Sequence, residues 1–178
     1  MGNIITEQEF RSSQYGDMAD NVVRLGLVID AVEEEIAGTV DRRLPKAEYT
    51  EIFLSPSSYL FVQQYPVRTV TSLRKRRRPN AEWEDLDLSY LRYSNTELPL
   101  IEYIGSDLTG WEIEVVYEAG YDPIPADLKL AAIKMTAVRL YVDIEMFGVG
   151  DSKEPGIDHE YRAAQRMLKR YKRPRRFY

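Results

Sequence analysis

Apolar and polar residues alternate along the stretch from Trp111 to Tyr117, which is the two-residue period of a strand with one buried face. Gly120 then permits a positive φ, and Pro125 suits the first turn of a helix but not its interior. From Asp127 onwards apolar residues recur at helical spacing on two faces, namely Leu128, Ala132, Met135 and Val142 on one and Leu130, Ile133, Ala137, Leu140 and Ile144 on the other. The pattern predicts a half-buried strand, a sharp turn and a long, largely surrounded central helix at 125–147.

A short helix is predicted near the N-terminus. The residues from Thr6 to Glu9 have the pattern of a capping box, and Ile5 and Phe10 are placed to form a hydrophobic staple. Gly16 is expected to end this helix.

A second helix is expected to follow, with Asp17 as its cap. Its apolar residues recur every three or four positions at Val22, Leu25, Ile29, Val32, Ile36 and Val40. Glu33, Glu34 and Glu35 point in different directions around such a helix, so we interpret them as a solvated face rather than a metal site. Leu44-Pro45 marks the end of the helical region.

The middle of the chain has the composition of β-structure. The segments Tyr49 to Leu54 and Tyr59 to Gln63 are rich in aromatic and branched residues, and the serine- and proline-rich turn at 55–58 between them predicts a hairpin. Alternation from Val67 to Leu73 predicts a third strand. Further strands are expected at Trp83 to Leu88 and at Pro99 to Ile104.

A last helix is predicted to begin near Asp158, after a glycine-rich connection at 148–156. Its apolar residues step by three or four, at Ile157, Tyr161, Ala164, Leu168 and Tyr171. Pro174 should end it and leave a short arm.

Together these elements predict an α+β fold, in which a small helical bundle carries an inserted antiparallel β-hairpin or sheet region and a C-terminal helix plus an extended arm. The 178 residues suffice for one domain. We place that domain at 1–150, with helices at 6–44, the β region at 49–117 and the central helix at 125–147. Residues 151–178 would form a linker, the C-terminal helix and a basic arm.

The net charge of −5 conceals two oppositely charged parts. Residues 161–178 contain eight cationic side chains and no acid, which leaves 16 basic residues against 29 acids in the rest of the chain. A basic tail on an acidic body suggests binding to an acidic protein or a nucleic acid, although a solvated, frayed terminus has the same composition.

The composition excludes several classes of protein. The chain contains no cysteine, so disulfides and thiolate metal sites are excluded. We expect a protein without an export signal or a membrane span, because no apolar run approaches about 20 residues.

Catalytic motifs are weak throughout. His159 is the single histidine, and the glycines at 148 and 150 do not make a dinucleotide fingerprint. We therefore expect no enzyme and no cofactor, with a hydrolase based on surface carboxylates as the weakest alternative.

Five consecutive cations are predicted to lie at a strand-loop-strand tip, where they could bind phosphates without reading sequence. A charged edge that protects a sheet from aggregation is the alternative. These residues are Arg74, Lys75, Arg76, Arg77 and Arg78.

The order of these segments resembles the head-to-tail connector (adaptor) proteins of tailed bacteriophages and related particles. The resemblance covers nearly the whole chain in order. It rests on the segments ITEQEFR, VIDAVEEEIAGTVDRRL, YPVRTVTSL and WEIEVVYEAGYDPIPADLKLAAIKMTAVRLY, and is most specific in YPVRTVTSL and AGYDPIPADLK.

The resemblance implies a structural virion protein at the head-tail interface, present in the host cytoplasm during assembly. Such proteins form a ring, usually twelvefold, beneath the portal, extend the channel for double-stranded DNA and dock a stopper or tail-completion protein. Their C-terminal segments bind the portal, which here implies an arm made of Tyr171, Lys172, Arg173, Pro174, Arg175, Arg176, Phe177 and Tyr178.

An adaptor of this kind is the leading hypothesis. A stopper, or head-closure protein, of the same neck is the nearest alternative. A non-specific nucleic-acid-binding module that uses the Arg74 to Arg78 run and the C-terminal helix is the alternative from another class.

Overall fold

The computed structural model describes residues 3–20, 22–93, 98–146 and 156–172. The chain divides into two compact units, a helical unit formed by the described residues up to 44 and from 123 onwards, and a β unit formed by residues 45–122. The combination of helices with antiparallel sheets confirms the predicted α+β class.

In the helical unit, the described residues form four α-helices and two short 3-10 helices. The α-helices are α1 (Glu7–Arg11), α2 (Leu25–Val40), α3 (Ala126–Met146) and α4 (Ile157–Leu168), and the 3-10 helices span Gly16–Ala19 and Lys169–Tyr171. The predicted stripe of α2 is buried at Leu25, Ile29, Val32, Ile36 and Val40. This stripe supplies one side of the core of the unit.

The predicted capping box is confirmed at the start of α1. The backbone N–H of Glu9 donates to Oγ1 of Thr6 at 3.1 Å, and the Glu9 carboxylate accepts the backbone N–H of Thr6 at 2.8 Å. Ile5 and Phe10 are both fully buried, as residues of a hydrophobic staple should be.

The predicted start of the second helix is wrong. Asp17 lies inside the 3-10 helix, and α2 begins only at Leu25, after Arg24, whose side chain makes no capping bond. Val22 therefore precedes the helix. The physical reason is that the 3-10 turn satisfies its own backbone groups, as in the bond from Asp20 N–H to the Asp17 carbonyl, so the chain turns before it enters α2.

Helix α3 begins and ends within one residue of the prediction. Gly120 has a φ of 105°, and the carbonyl of Pro125 accepts the first helical hydrogen bonds. Most of the predicted apolar positions with described side chains are buried, but Leu130 and Val142 are exposed; the side chain of Ile144 lies outside the described part. The prediction that both apolar faces of α3 are covered is therefore wrong at Leu130 and Val142, which are accessible to solvent.

The described residues of the β unit form seven strands in two antiparallel sheets. The strands are β1 (Ala47–Leu54), β2 (Tyr59–Phe61), β3 (Val67–Arg76), β4 (Glu84–Asp85), β5 (Leu91–Tyr93), β6 (Leu100–Tyr103) and β7 (Glu112–Ala119). The larger sheet has the order β1-β7-β3-β4, and the smaller sheet has the order β2-β6-β5.

The two sheets share one hydrophobic core and therefore form a sandwich. Ile113, Val115 and Tyr117 of the larger sheet belong to the same buried cluster as Leu60 and Ile101 of the smaller one. The predicted alternation of β7 is thus confirmed, with its apolar face towards the other sheet.

The predicted hairpin between residues 49 and 63 is wrong. β1 pairs with β7 in the larger sheet, whereas β2 pairs with β6 in the smaller one. The buried Ser55 explains the separation, because its N–H donates to the Trp111 carbonyl and its own carbonyl accepts the N–H of Gly110. These bonds hold the end of β1 beside the start of β7, and the chain then crosses to the other layer.

The sequence predicted the strands between β3 and β7 only in part. The stretch predicted at 83–88 forms a strand of two residues, β4, followed by a 3-10 helix at Leu88–Tyr90. The prediction at 99–104 is confirmed as β6, and β5 was not predicted. Among the described residues, none of the helices is long and apolar enough to span a bilayer.

Candidate interaction surfaces

The predicted cationic loop is largely part of a strand. Arg74, Lys75 and Arg76 lie in β3, and only Arg77 and Arg78 lie in the turn that follows. The prediction that all five residues occupy a loop tip is therefore corrected. Side chains along a strand point alternately to opposite faces, so these cations separate into two groups.

Arg74 and Arg76 meet two acids on the outer face of the larger sheet. In the register of β3 and β7, Arg74 stands opposite Glu114 and Arg76 opposite Glu112. Arg74 Nε donates to Glu114 Oε1 at 2.8 Å, and Arg76 Nε donates to Glu112 Oε2 at 2.5 Å. Glu114 is almost fully buried, so its charge depends on the arginine.

Cations of this run also make cation–π contacts with two tryptophan rings, Trp83 and Trp111. The guanidinium carbon of Arg76 lies 4.2 Å from the ring centre of Trp83. Lys75 and Arg77 turn to the other side, where they lie 4.3 and 4.9 Å from the ring centre of Trp111. Cation–π contacts of this kind stabilise charged groups that burial has partly deprived of water.

The four cations from Arg74 to Arg77 thus contact acids or tryptophan rings of the β unit. Arg78, the last residue of the run, is exposed. The sequence contained a signal for this arrangement. Glu112 and Glu114 occupy the polar face of an apolar strand, where a cationic strand is the complementary neighbour.

A buried tyrosine connects three segments of the β unit. The Tyr117 hydroxyl donates to the Glu51 carboxylate and accepts the backbone N–H of Gln64 at 3.1 Å. Glu51 also accepts the N–H of Gln63 at 2.9 Å. Burial first, and then the hydrogen bond to the Glu51 carboxylate, raises the pKa of Tyr117, so its hydroxyl remains a proton donor.

The three consecutive glutamates of α2 have separate structural partners. Glu33 accepts the backbone N–H of Ile4 at 2.6 Å, and burial raises its pKa against the opposing effect of its hydrogen bonds. Glu34 lies 3.5 Å from Arg43, and the hydroxyl of Tyr161 donates to Glu35 at 3.0 Å. The interpretation of these acids as a solvated face is therefore corrected for Glu33 and Glu35, which are half-buried and bind other segments, whereas Glu34 is exposed as predicted.

The C-terminal helix ends in a buried tyrosine. The Tyr171 hydroxyl donates to Asp127 at 2.7 Å, and its carbonyl accepts Nε of Arg42 at 3.1 Å. Arg170 donates to the same aspartate at 2.9 Å. Tyr171 thus belongs to the folded helical unit, and Lys172 is exposed. The remaining residues predicted for the arm lie outside the described residues, namely Arg173, Pro174, Arg175, Arg176, Phe177 and Tyr178.

Both outer faces of the sandwich carry exposed apolar side chains. On the smaller sheet these are Tyr59, Phe61 and Ile104, with exposed fractions of 47%, 36% and 47%. On β1 of the larger sheet they are Ile52 and Leu54, at 52% and 70%. Sequence reasoning assigned these residues to strands but not to a surface.

No group of three or more potential metal ligands of the His, Asp or Glu type comes together within the parts of the chain that the structure describes. His159 is exposed near the start of α4.

Several solved structures have the same fold. A chain in the virion of a native gene transfer agent (GTA) particle has a TM-score of 0.66 and 19% identity, over 97% of this chain and 91% of that one. A chain in the neck of a native GTA particle, computed with C12 symmetry, has a TM-score of 0.63 and 21% identity, over 98% and 96%. A chain in the neck of an empty GTA particle, computed with C6 symmetry, has a TM-score of 0.62 and 20% identity, over 97% and 91%.

The search of curated proteins finds no match. Residues 3–152, however, match the family described as head completion protein. That range includes the capping box, the whole β unit and α3, so the resemblance to phage connector proteins is confirmed at the level of a head-completion role. The chain belongs to the head completion protein family.

Proposed function

We propose that this chain is the adaptor of a head-to-tail connector. In this role it forms a ring beneath the portal, extends the DNA channel and provides the docking surface for the next neck component. The observation that carries the proposal is the family match over residues 3–152. The likeness of nearly the whole chain to chains from GTA particles, two of them from necks, supports it.

The proposed assembly is a cyclic homo-oligomer of twelve copies. The neck structures that share this fold were computed with C6 and with C12 symmetry, and a twelvefold ring is compatible with both. A cyclic ring requires each copy to present two different surfaces, one to each neighbour.

The portal is the proposed partner of the C-terminal arm. Tyr171 is held by Asp127 and Arg42, so this part of the helical unit can serve as a fixed base for the segment that follows. Residues 172–178 carry four cations and two aromatic rings, a composition that favours binding to an acidic protein surface. The arm would lose conformational entropy when it binds, and the contacts with the portal would offset this loss.

A stopper or tail-completion protein is the proposed partner on the side away from the portal. Double-stranded DNA would touch the ring only during packaging and ejection. The protein would be found in the neck of the virion, and in the host cytoplasm during assembly.

The nucleic-acid module is the less favoured function. Its main site would be the run from Arg74 to Arg78, and four of these cations already contact Glu112, Glu114 or the two tryptophans. A cation that is paired with a carboxylate must give up that contact before it can neutralise a phosphate.

Binding to the isolated portal separates an adaptor from a stopper. An adaptor should be retained by immobilised cognate portal in the absence of every other neck protein. A stopper should be retained only after the adaptor has been added. Retention only after another neck protein has been added, or no retention at all, would contradict the proposal.

A further inference from the structure

The two outer faces of the β-sandwich are apolar at positions where a solvated sheet is ordinarily polar. On the smaller sheet, Leu60 and Ile101 point into the core, so the alternation places Tyr59 and Phe61 on the outside. On the larger sheet, Phe53 packs against the core, so Ile52 and Leu54 lie on the outside. We call the first set the aromatic face and the second set the aliphatic face.

The aromatic face consists of Tyr59 and Phe61 on β2 and Ile104 just after β6. The N–H of Ile104 donates to the carbonyl of Tyr90, which extends the ladder between these segments and fixes the position of Ile104. These three side chains are apolar, as the centres of protein interfaces are, and two charged residues lie on the same face, Glu102 opposite Tyr59 and Arg92 opposite Glu102.

The aliphatic face lies at the edge of the larger sheet. Ile52 stands opposite Glu114, and Leu54 stands opposite Glu112, in the register of β1 and β7. Both acids are paired with arginines, so a partner that covers Ile52 and Leu54 meets no uncompensated carboxylate next to them. Desolvation of this face is correspondingly less costly.

Because the two sheets share one core, their outer faces point in opposite directions. A single partner bound to one side of the β unit would cover one face and leave the other in water. In a head-to-tail ring each copy has a neighbour on either side, so copies of the same chain can cover both faces.

We propose that the aromatic face of one copy packs against the aliphatic face of the next copy, and that the β-sandwich is the part of the chain that closes the ring. This inference rests on the proposed function in one respect, that the chain forms a ring. It assigns the contact between copies to the sandwich, a surface distinct from the C-terminal arm that is proposed to bind the portal.

Two double variants test the proposal. Tyr59→Arg/Ile104→Arg disrupts the aromatic face, and Ile52→Arg/Leu54→Arg disrupts the aliphatic face. Leu27→Arg/Leu130→Arg is the matched control, because it also converts two exposed apolar residues to arginine, but in the helical unit. All six positions are exposed, so circular dichroism and thermal unfolding should remain close to those of the wild type.

Mass measurement by light scattering gives the readout, first for the free chains and then for chains mixed with soluble portal if the wild type is monomeric alone. Each sandwich variant should fail to form rings, while the control forms them. Because each variant retains the face that the other has lost, an equimolar mixture of the two should form a 1:1 dimer that grows no further. A contact between two different faces predicts this 1:1 dimer. A contact in which each copy uses the same face does not, because each variant would then be defective or intact by itself.

The results separate this proposal from the proposed function. If the wild type forms rings and both sandwich variants form them equally well, the sandwich contact is wrong and the adaptor role stands. If only the control variant loses the ring, the contact between copies lies in the helical unit and the proposal is overturned. If sandwich variants remain annular but lose a neck protein, the faces bind that protein instead of a second copy. If the wild type forms no ring with or without portal, the proposed function itself fails.

Discussion

Tyr171 donates a hydrogen bond from its hydroxyl to Asp127 across 2.7 Å, and this contact ties the described end of the chain to α3. The tyrosine follows α4, the aspartate lies in the first turn of α3, and both belong to the helical unit. Removing residues 173–178 tests the proposed arm and leaves the contact between Tyr171 and Asp127 in place.

A chain that ends at Lys172 should keep its stability and lose its attachment to the portal. Its free energy of unfolding in urea should remain within about 0.5 kcal/mol of that of the full chain, because no described buried contact is removed. A chain that ends at Arg170 should lose about 3 kcal/mol, since it also lacks a buried aromatic side chain. Equal portal binding by the full chain and the chain ending at Lys172 would show that the arm is not the anchor.

The hydroxyl of Tyr171 can be tested without truncation. Tyr171→Phe keeps the ring but removes the donor to Asp127, and we expect a loss of about 1–2 kcal/mol in the free energy of unfolding. Portal binding at saturating protein should be unchanged, because the arm remains. Lost binding by a stably folded variant would place Tyr171 in the portal contact itself.

Arg74 should matter far more to stability than Arg78, although both belong to the same cationic run. Arg74→Ala leaves the carboxylate of Glu114 without its partner on an almost buried site, and the expected cost is about 2–3 kcal/mol. Arg78→Ala removes an exposed side chain and should cost less than about 0.5 kcal/mol.

A double-mutant cycle with Arg74→Ala and Glu114→Gln isolates the pair. Removing the acid as well should recover part of the loss, with a coupling energy of about 1–2 kcal/mol in urea unfolding. A coupling energy near zero would mean that the ion pair seen across β3 and β7 contributes no stability.

The ion pair between Lys134 of α3 and Glu160 of α4 should make stability depend on pH. The hydrogen bond from Lys134 is the main cause that lowers the pKa of Glu160, and the same bond raises the pKa of Lys134. Glu160 therefore contributes stability above its unfolded pKa that is lost as the pH falls through its lower folded pKa. Lys134 contributes stability below its unfolded pKa that is lost as the pH rises through its higher folded pKa.

The expected outcome is a stability difference between wild type and Glu160→Gln of about 1 kcal/mol at pH 7. The difference should shrink below about pH 4 and above about pH 10.5, which chemical denaturation across the pH range can measure. Asp158→Asn, at an exposed acid of the same helix, is the control and should change stability by less than about 0.5 kcal/mol. A difference that does not vary with pH would contradict the role of the pair.

Local sequence patterns predicted the helices well, because capping boxes and apolar stripes act within one element. The box at Thr6 and Glu9, the stripe of α2 and the turn at Gly120 were all found where their residues predict them. The start of α2 was wrong because Asp17 can cap a turn as readily as a helix.

The sandwich could not be predicted in the same way, since pairing between strands depends on residues far apart in the chain. β1 and β2 are neighbours in sequence, yet the bonds between Ser55 and residues 110–111 place them in different sheets. The cationic run was assigned to a loop for the same reason, because its acids on β7 lie almost forty residues away. The head-completion role was predicted from a resemblance that is spread over several segments of the chain, and no single motif would have been enough to predict it.

Light scattering of the purified chain mixed with its cognate portal on a sizing column tests the adaptor proposal most directly. The expected result is a complex of fixed stoichiometry, with as many copies of this chain as the portal has subunits, whether or not the free chain is a monomer. A chain that stays monomeric, ignores the portal and instead shifts with double-stranded DNA in a salt-dependent manner would contradict it and favour the nucleic-acid-binding module.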